Sequence, residues 1–149
     1  MKARTLATAL VALVSTLACV PSDGPLMEAG ENCQGCHGDG QEMLYQGERP
    51  RHATTWTIAG TAYDTANTGK AAEGAEVQIT DANGFAFSLR ANLAGNFYSK
   101  ETVTLPLRSA CIAFGGRTVC QQSPVTSGSC NLCHNQIGLG APQPPLAAP

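Results

Sequence analysis

Apolar and polar residues alternate along much of the chain between residues 53 and 126, with the period of two that half-buried β-strands require. Short segments of this kind are TTWTIAGTAY, EVQITDANGFAFSLRA, GNFYS and TVTLPL, and turn signals separate them roughly every 8 to 12 residues. Helical periodicity of useful length is missing from this region of the sequence. The pattern predicts an all-β fold, a sandwich or barrel of short strands.

The segment TDANGF predicts a hairpin whose register can be derived from the hydrophobic pattern. A three-residue loop with Gly84 in the left-handed conformation sets Ile79 opposite Phe87. The same register sets Val77 opposite Leu89, so one face of the hairpin stays apolar. A two-residue loop would mix polar and apolar partners, and we therefore predict the longer loop.

A second hairpin is predicted at Gly115-Gly116, because both positions of a tight two-residue loop need a positive φ. This loop sets Cys111 opposite Cys120 on a non-hydrogen-bonded pair, where Cα atoms lie about 4.5 Å apart. That spacing is at the short end of disulfide geometry. We expect a Cys111–Cys120 disulfide in an oxidising compartment; free thiols or a shared metal site are the alternatives.

The N-terminus indicates export. Lys2 and Arg4 precede an uncharged apolar run that ends near Ala18 and is shorter than the about 20 residues of a membrane span. This is the pattern of a signal peptide, here residues 1–18. The sequence TLAC, ending at Cys19, resembles a bacterial lipobox, which implies lipidation of Cys19. We therefore expect an exported protein, lipid-anchored in the bacterial cell envelope at the periplasmic face or outer membrane.

Charge and size limit the functional classes. The mature chain of about 130 residues is the size of one ordinary domain. Without the leader, seven basic side chains stand against eleven acidic ones, which argues against nucleic acid as a partner. The last stretch, GLGAPQPPLAAP, is rich in proline and alanine and predicts an irregular tail.

Two copies of one motif carry the candidate chemistry: Cys33-Gln34-Gly35-Cys36-His37 and Cys130-Asn131-Leu132-Cys133-His134. Thiols at i and i+3 can each add to one vinyl group of a haem, and the next residue then reaches the iron. CxxCH is the attachment pattern of c-type haem. The pattern predicts two covalently bound haems, held by the four cysteines and ligated axially by His37 and His134.

Two other interpretations of these cysteines stay open. Cys33, Cys36, Cys130 and Cys133 could form one four-cysteine zinc site, which requires the two ends of the β-domain to meet. Alternatively, each CxxC could form a local disulfide, which would be strained and reducible. Neither interpretation gives the two adjacent histidines a role.

The second axial ligand of each iron is harder to assign. His52 is the one remaining histidine, and the 15 residues after His37 give it ample reach over a haem face. Met43 and Met27 are further candidates. His52 could equally be a surface residue of its polar linker, and either haem could be five-coordinate. Trp56 is predicted to pack at the edge of the core or against a haem.

The β-region resembles the carboxypeptidase-regulatory-like, or transthyretin-like, β-sandwich family. That family shows a strand-turn pattern with GAxVxV followed by a (D/N)xxGxF turn. The matching positions here are Gly60, Gly74, Ala75, Val77, Gly84, Gly95 and Phe97. The resemblance implies an Ig-like or prealbumin-like sandwich that acts as a non-catalytic scaffold.

The stretch GENCQGCHGDG resembles the attachment region of c-type cytochromes, and GSCNLCHNQIG resembles sites at the C-terminal end of haem-bearing sandwich proteins. The predicted organisation is a signal peptide (1–18), an N-terminal haem-binding segment (19–52), a β-sandwich (53–126), and a C-terminal haem-binding segment with its tail (127–149). The haem-binding segments are expected to be short and irregular or helical. With an odd number of strands, the two haems would lie at opposite poles, about 20 Å apart or more.

These expectations indicate electron transfer, without enzymatic turnover, between redox proteins of the cell envelope. The membrane, through the lipid, and further copies of the chain are additional expected partners. The alternative is a scaffold or binding lipoprotein whose CxxC motifs hold zinc or form disulfides. A peroxidase would need an acid-base residue beside an open iron, and only His52 could supply one.

Overall fold

The structure is a computed structural model that describes residues 26–39, 42–43, 51–52, 54–64 and 69–134. The predicted signal peptide, Cys19 and the tail after residue 134 lie outside these ranges. For residues 42, 43, 51 and 52 the structure describes the backbone alone.

The described chain is mostly β-strand. In chain order the strands are β1 (Glu42–Met43), β2 (Arg51–His52), β3 (Ile58–Thr61), β4 (Glu76–Thr80), β5 (Ala86–Arg90), β6 (Asn96–Ser99), β7 (Ser109–Phe114) and β8 (Arg117–Cys120). The helical elements in the described ranges are α1 (Cys33–His37) and a 3-10 helix (Cys130–Leu132). Neither has the length or the apolar run that crossing a bilayer requires.

All strand pairs within these sheets are antiparallel. One sheet has the order β5-β4-β7-β8, a second consists of β3 and β6, and β1 pairs with β2. The prediction of an all-β fold is therefore confirmed at the level of strand content and antiparallel pairing.

Both predicted hairpins have the predicted register. In the first, Ile79 pairs with Phe87 and Val77 with Leu89. Gly84 has the left-handed φ of +87° that the longer loop requires. Local patterning was sufficient here, because a slip of one residue would turn the apolar face of the strand to solvent.

In the second hairpin, β7 and β8 pair Cys111 with Cys120 and Phe114 with Arg117. Gly115 and Gly116 have φ angles of +58° and +78°, as the tight loop demands. The structure joins Cys111 to Cys120 by a disulfide, with an S–S distance of 2.06 Å.

The core draws its side chains from both the β3–β6 pair and the four-stranded sheet. Ile58 on β3 and Phe97 on β6 are almost completely buried, as is Ile79 on β4. Burial of one such side chain contributes about 1.5–3 kcal/mol. The full core cluster is Ile58, Ala62, Ala72, Ala75, Val77, Ile79, Ala91, Phe97, Leu107 and Ile112.

The strand predicted over TVTLPL does not form. Leu107 alone makes an isolated antiparallel bridge, with Val125. The segment is instead held by the β4–β5 loop, because Thr104 N donates to Asp81 Oδ2 (3.0 Å) and Ala82 N donates to Thr104 O (2.9 Å). Pro106, in addition, has no N–H for a strand ladder.

Asp81 therefore organises two loops at once. Its Oδ1 accepts from Asn83 N (2.8 Å) and Phe85 N (2.9 Å), while Oδ2 holds Thr104. The hydrogen bond from Thr104 N and those from the hairpin backbone lower the pKa of Asp81, because they stabilise the ionised carboxylate.

We predict that Asp81→Ala lowers the stability of the protein at neutral pH. We also expect the stability of this variant to fall less steeply than that of the wild type as the pH is lowered. A carboxylate with a lowered folded-state pKa stabilises the fold above its unfolded-state pKa, and this contribution disappears as the pH falls through the folded value. Urea unfolding between pH 2 and 7 measures the effect. Glu73→Gln, at an exposed turn position, is the control; the same acid profile in Asp81→Ala and wild type would contradict the prediction.

Candidate functional site

The first CxxCH motif packs against strand β3 and the residues just before it. The motif forms the single turn α1, which sets Cys33 and Cys36 on one side at i and i+3. Trp56 N donates to His37 O (3.0 Å), and Gln34 Nε2 donates to Trp56 O (3.1 Å). These bonds fix the motif against the chain that leads into β3.

His37 is buried, and its tautomer follows from its hydrogen bond. Nδ1 lies 2.9 Å from Thr54 O, and a carbonyl oxygen can only accept. Nδ1 therefore carries the proton, which leaves Nε2 as the nitrogen with a lone pair. A backbone carbonyl that fixes the ring in this way is typical of metal-ligating histidines.

The His37 ring belongs to a stack of three rings. It lies on Trp56 with a centroid distance of 3.6 Å and an interplanar angle of 12°. Trp56 lies in turn on Tyr98, at 4.3 Å and 11°. Trp56 is buried, while Tyr98 is 38% exposed. The stack holds the orientation of the imidazole and runs from His37 to the surface.

The second motif packs beside the same strand. Ser129 forms a parallel bridge with Ala59 of β3, and Ala59 N donates to Gly128 O (2.9 Å). A Cβ on Gly128 would collide with the carbonyl oxygen of Thr57, so only glycine permits this approach. The 3-10 helix that begins at Cys130 then lies over β3, close to Gly60.

Asn131, inside the second motif, is completely buried. Its Oδ1 accepts from Thr61 N (3.0 Å), and its Nδ2 lies within donating distance of Thr61 Oγ1 (3.0 Å) and Glu31 O (2.8 Å). Nδ2 also lies 3.9 Å from the Cys33 sulfur. One amide thus connects the second motif to β3 and to the start of the first motif.

The two motifs therefore meet, and the expectation of attachment sites at opposite poles is wrong. A second direct bond joins them, from Ser129 Oγ to Asn32 Oδ1 (2.6 Å). Both flanking segments bind at β3: Trp56, just before the strand, donates to His37 O, and Thr61 of the strand donates to Asn131.

The cysteines of the motifs differ in their surroundings. Cys33 and Cys130 are free and half-buried, and Cys133 is free and exposed. Burial raises the pKa of Cys33 to about 11 and that of Cys130 to about 12. Cys36 is disulfide-bonded, so it would have to be reduced before its sulfur could bind a haem.

A cavity of about 410 Å³ borders the second motif. Core side chains such as Val77 and Ile112 form one part of its wall, and the Cys111–Cys120 disulfide forms another. Cys130, Cys133 and His134 also line it. Val119, at its rim, is 40% exposed although it is apolar.

A zinc site shared by four cysteines requires the two CxxCH motifs to lie close together, and in the structure they do. However, the part of the chain that the structure describes contains no group of three or more Cys, His, Asp or Glu side chains arranged to hold a metal ion.

Two of the candidate distal ligands, Met43 and His52, are placed only by their backbones. Residues 42–43 pair with 51–52, which sets Glu42 opposite His52 and Met43 opposite Arg51. The Met43 and His52 side chains lie outside the described part of the structure. Met27 uses its carbonyl oxygen to accept from Asn96 Nδ2 (2.6 Å).

The sequence analysis gave no role to the residues that dock the two motifs. Gln34 and Asn131 occupy the same motif position, directly after the first cysteine, and each uses its amide to hold its motif in place. An amide side chain at the same position of both motifs is visible in the sequence and could have indicated these docking contacts. The stacking of Trp56 on Tyr98 has no comparable signal in the sequence, because the long-range pairing of β3 with β6 brings Tyr98 to Trp56.

Comparison with protein-family models, with curated proteins and with solved structures found no match for this chain.

We predict that the haem-free protein loses stability above about pH 9. A thiol whose folded-state pKa lies above the unfolded value of 9.0 keeps its proton in the fold after the unfolded chain has lost it. Stability then falls by up to about 1.4 kcal/mol per pH unit for each buried thiol. Thermal unfolding between pH 8 and 10.5 measures this loss. The stability of Cys130→Ala should fall less steeply with pH than that of the wild-type protein.

Cys133→Ala, at an exposed cysteine of the same motif, is the matched control and should retain the wild-type slope. If Cys130→Ala and wild type declined equally, the buried thiol would not be the cause.

Proposed function

We propose that the protein is an exported dihaem c-type cytochrome that transfers electrons between redox partners of the cell envelope. The observation that carries the proposal is the convergence of both CxxCH motifs on β3, with His37 held in the tautomer that leaves Nε2 for a metal. We further propose that the two sheets form a transthyretin-like sandwich that acts as the non-catalytic scaffold for these sites.

The donor set of the first site suits a haem. Cys33 and Cys36 would supply the thioether bonds and His37 the axial nitrogen. Thr54 O keeps the proton on Nδ1, and Trp56 restrains the ring from one face. In the folded chain these two contacts hold the imidazole in one orientation, as the outer partners of a ligating histidine do.

The second site offers space as well as ligands. Cys130, Cys133 and His134 open onto the cavity of about 410 Å³, whose wall is rich in apolar side chains. An apolar wall excludes water and suits a macrocycle, whereas a small hydrated cation would need several polar ligands. The exposed rim residue Val119 would gain burial if the cavity were filled.

Haem held at these sites would supply an iron that accepts one electron from a reduced donor and passes it to an oxidised acceptor, without other chemistry. The chain itself would set the potential through the hydrogen bond at His37 and the low polarity around the sites. Lipidation at Cys19 would keep the protein at the membrane, near redox partners and further copies of the chain.

A scaffold lipoprotein with a shared four-cysteine zinc site is the second candidate. It is favoured by the hydrogen bond from Asn131 to Glu31 O, which joins the segments that carry Cys33 and Cys130. The disulfide at Cys36 favours a related version in which this cysteine has a structural role alone.

We predict that the protein, expressed with a cytochrome maturation system, carries two haems that remain bound after denaturation. The variants Cys33→Ala/Cys36→Ala and Cys130→Ala/Cys133→Ala should each lose one haem and keep the other, since each motif attaches its own group. Intact mass and the reduced pyridine-complex spectrum give the stoichiometry. Cys111→Ala/Cys120→Ala controls for the loss of a cysteine pair and should retain both haems.

Zinc analysis of the same samples distinguishes the second candidate. A shared four-cysteine site would lose its whole metal content in either motif variant. Absence of haem from the wild-type protein would overturn the electron-transfer proposal.

We predict that Val119→Trp lowers occupancy of the second haem site by at least half and leaves the first site unchanged. An indole at the rim would take the space that the cavity offers beside His134. Thr118→Trp is the matched control, because successive residues of β8 point to opposite faces and residue 118 does not line this cavity. Haem mass mapping of the two motif peptides reads each site separately. Equal occupancy in both variants would contradict use of the cavity.

A further inference from the structure

Two polar contacts join the CxxCH motifs directly, although the motifs are nearly a hundred residues apart in sequence. Asn131 Nδ2 donates to Glu31 O (2.8 Å), and Ser129 Oγ lies 2.6 Å from Asn32 Oδ1. Both contacts involve residues that lie within two positions of the first cysteine of a motif. The attachment cysteines Cys33 and Cys130 are therefore held at the junction itself.

The junction is rigid because its central amide is buried and satisfied. Thr61 Oγ1 donates to Asn96 Oδ1 (2.8 Å) and accepts from Gly30 N (2.9 Å) and Asn131 Nδ2. Asn96 Nδ2 in turn donates to Met27 O. Breaking such a network leaves buried polar groups without hydrogen-bond partners, which is unfavourable. This network connects the two motifs with β3 and β6.

The distance between the attachment points follows from covalent reach. The Cys33 sulfur lies 3.9 Å from Asn131 Nδ2, and Asn131 is the neighbour of Cys130 in the chain. The asparagine side chain and one peptide unit then limit the separation of the Cys33 and Cys130 sulfurs to roughly 14 Å. This is less than the separation of 20 Å or more that a pole-to-pole arrangement would give.

We infer that Asn131 ties the two CxxCH motifs into a single paired-haem centre, in which groups attached at Cys33 and Cys130 interact electronically instead of acting as separate sites. This inference rests on the proposed function and adds the arrangement of the two cofactors and the residue that sets it. Asn131 acts as a positioning residue, since it touches the attachment segments and not the iron.

Soret circular dichroism of the dihaem protein tests the inference. Two porphyrins held close together couple through their transition dipoles and give a bisignate signal, which falls steeply as their separation increases. The spectrum of the wild-type protein should therefore differ from the sum of the spectra of the two single-haem variants, Cys33→Ala/Cys36→Ala and Cys130→Ala/Cys133→Ala. The signal depends on geometry and does not require any electron-transfer partner.

The variant Asn131→Ala should keep two haems and reduce the amplitude of the bisignate signal by at least half. Ser129→Ala removes the other direct contact and should reduce it as well, which keeps the test decisive if Asn131→Ala does not fold. Leu132→Ala, in the same 3-10 helix but 53% exposed and without a bond across the junction, should leave the signal unchanged.

Two haems with a spectrum equal to the sum of the single-haem spectra would overturn the paired centre and leave the proposed function standing. A reduction in Leu132→Ala as large as that in Asn131→Ala would overturn the positioning role. A single haem in the wild-type protein would overturn the paired centre, and the absence of haem would overturn the electron-transfer proposal as well.

Discussion

The buried amide of Asn131 is the constraint on which the functional end of the molecule depends. A completely buried amide needs partners for its oxygen and its nitrogen, and here those partners come from β3 and from the segment before the first motif. Satisfying one side chain thereby holds the segments around Glu31 and Asn131 against the same strand. Within the described residues, every buried side-chain nitrogen and oxygen has a hydrogen-bond partner, so the polar network is complete there.

The parts of the fold that could be predicted are those determined by near neighbours. The registers around Gly84 and Gly115–Gly116 follow from turn geometry and apolar alternation, and both agree with the structure. The failed strand over TVTLPL shows the limit of that reasoning. Its pattern suits a strand, but the carboxylate of Asp81, more than twenty residues earlier, binds Thr104 N in a loop instead.

CxxCH predicts a kind of ligand, but the relative arrangement of the two motifs could not be predicted from it. Thiol spacing identifies a kind of ligand, but it carries no information about where the two copies lie relative to each other. That depends on the close approach allowed by Gly128 and on long-range bonds to Thr61. The tautomer of His37 is similarly decided by Thr54, a residue that no local motif selects.

The burial of Cys33 and Cys130 has a consequence for biogenesis. In the folded chain their thiols are held in the protonated, weakly nucleophilic form and are partly covered by the junction. Under the proposed function, covalent attachment and folding then compete in time. Haem would have to be ligated while the exported chain is still open, and an apoprotein that folds first would become a dead end for maturation.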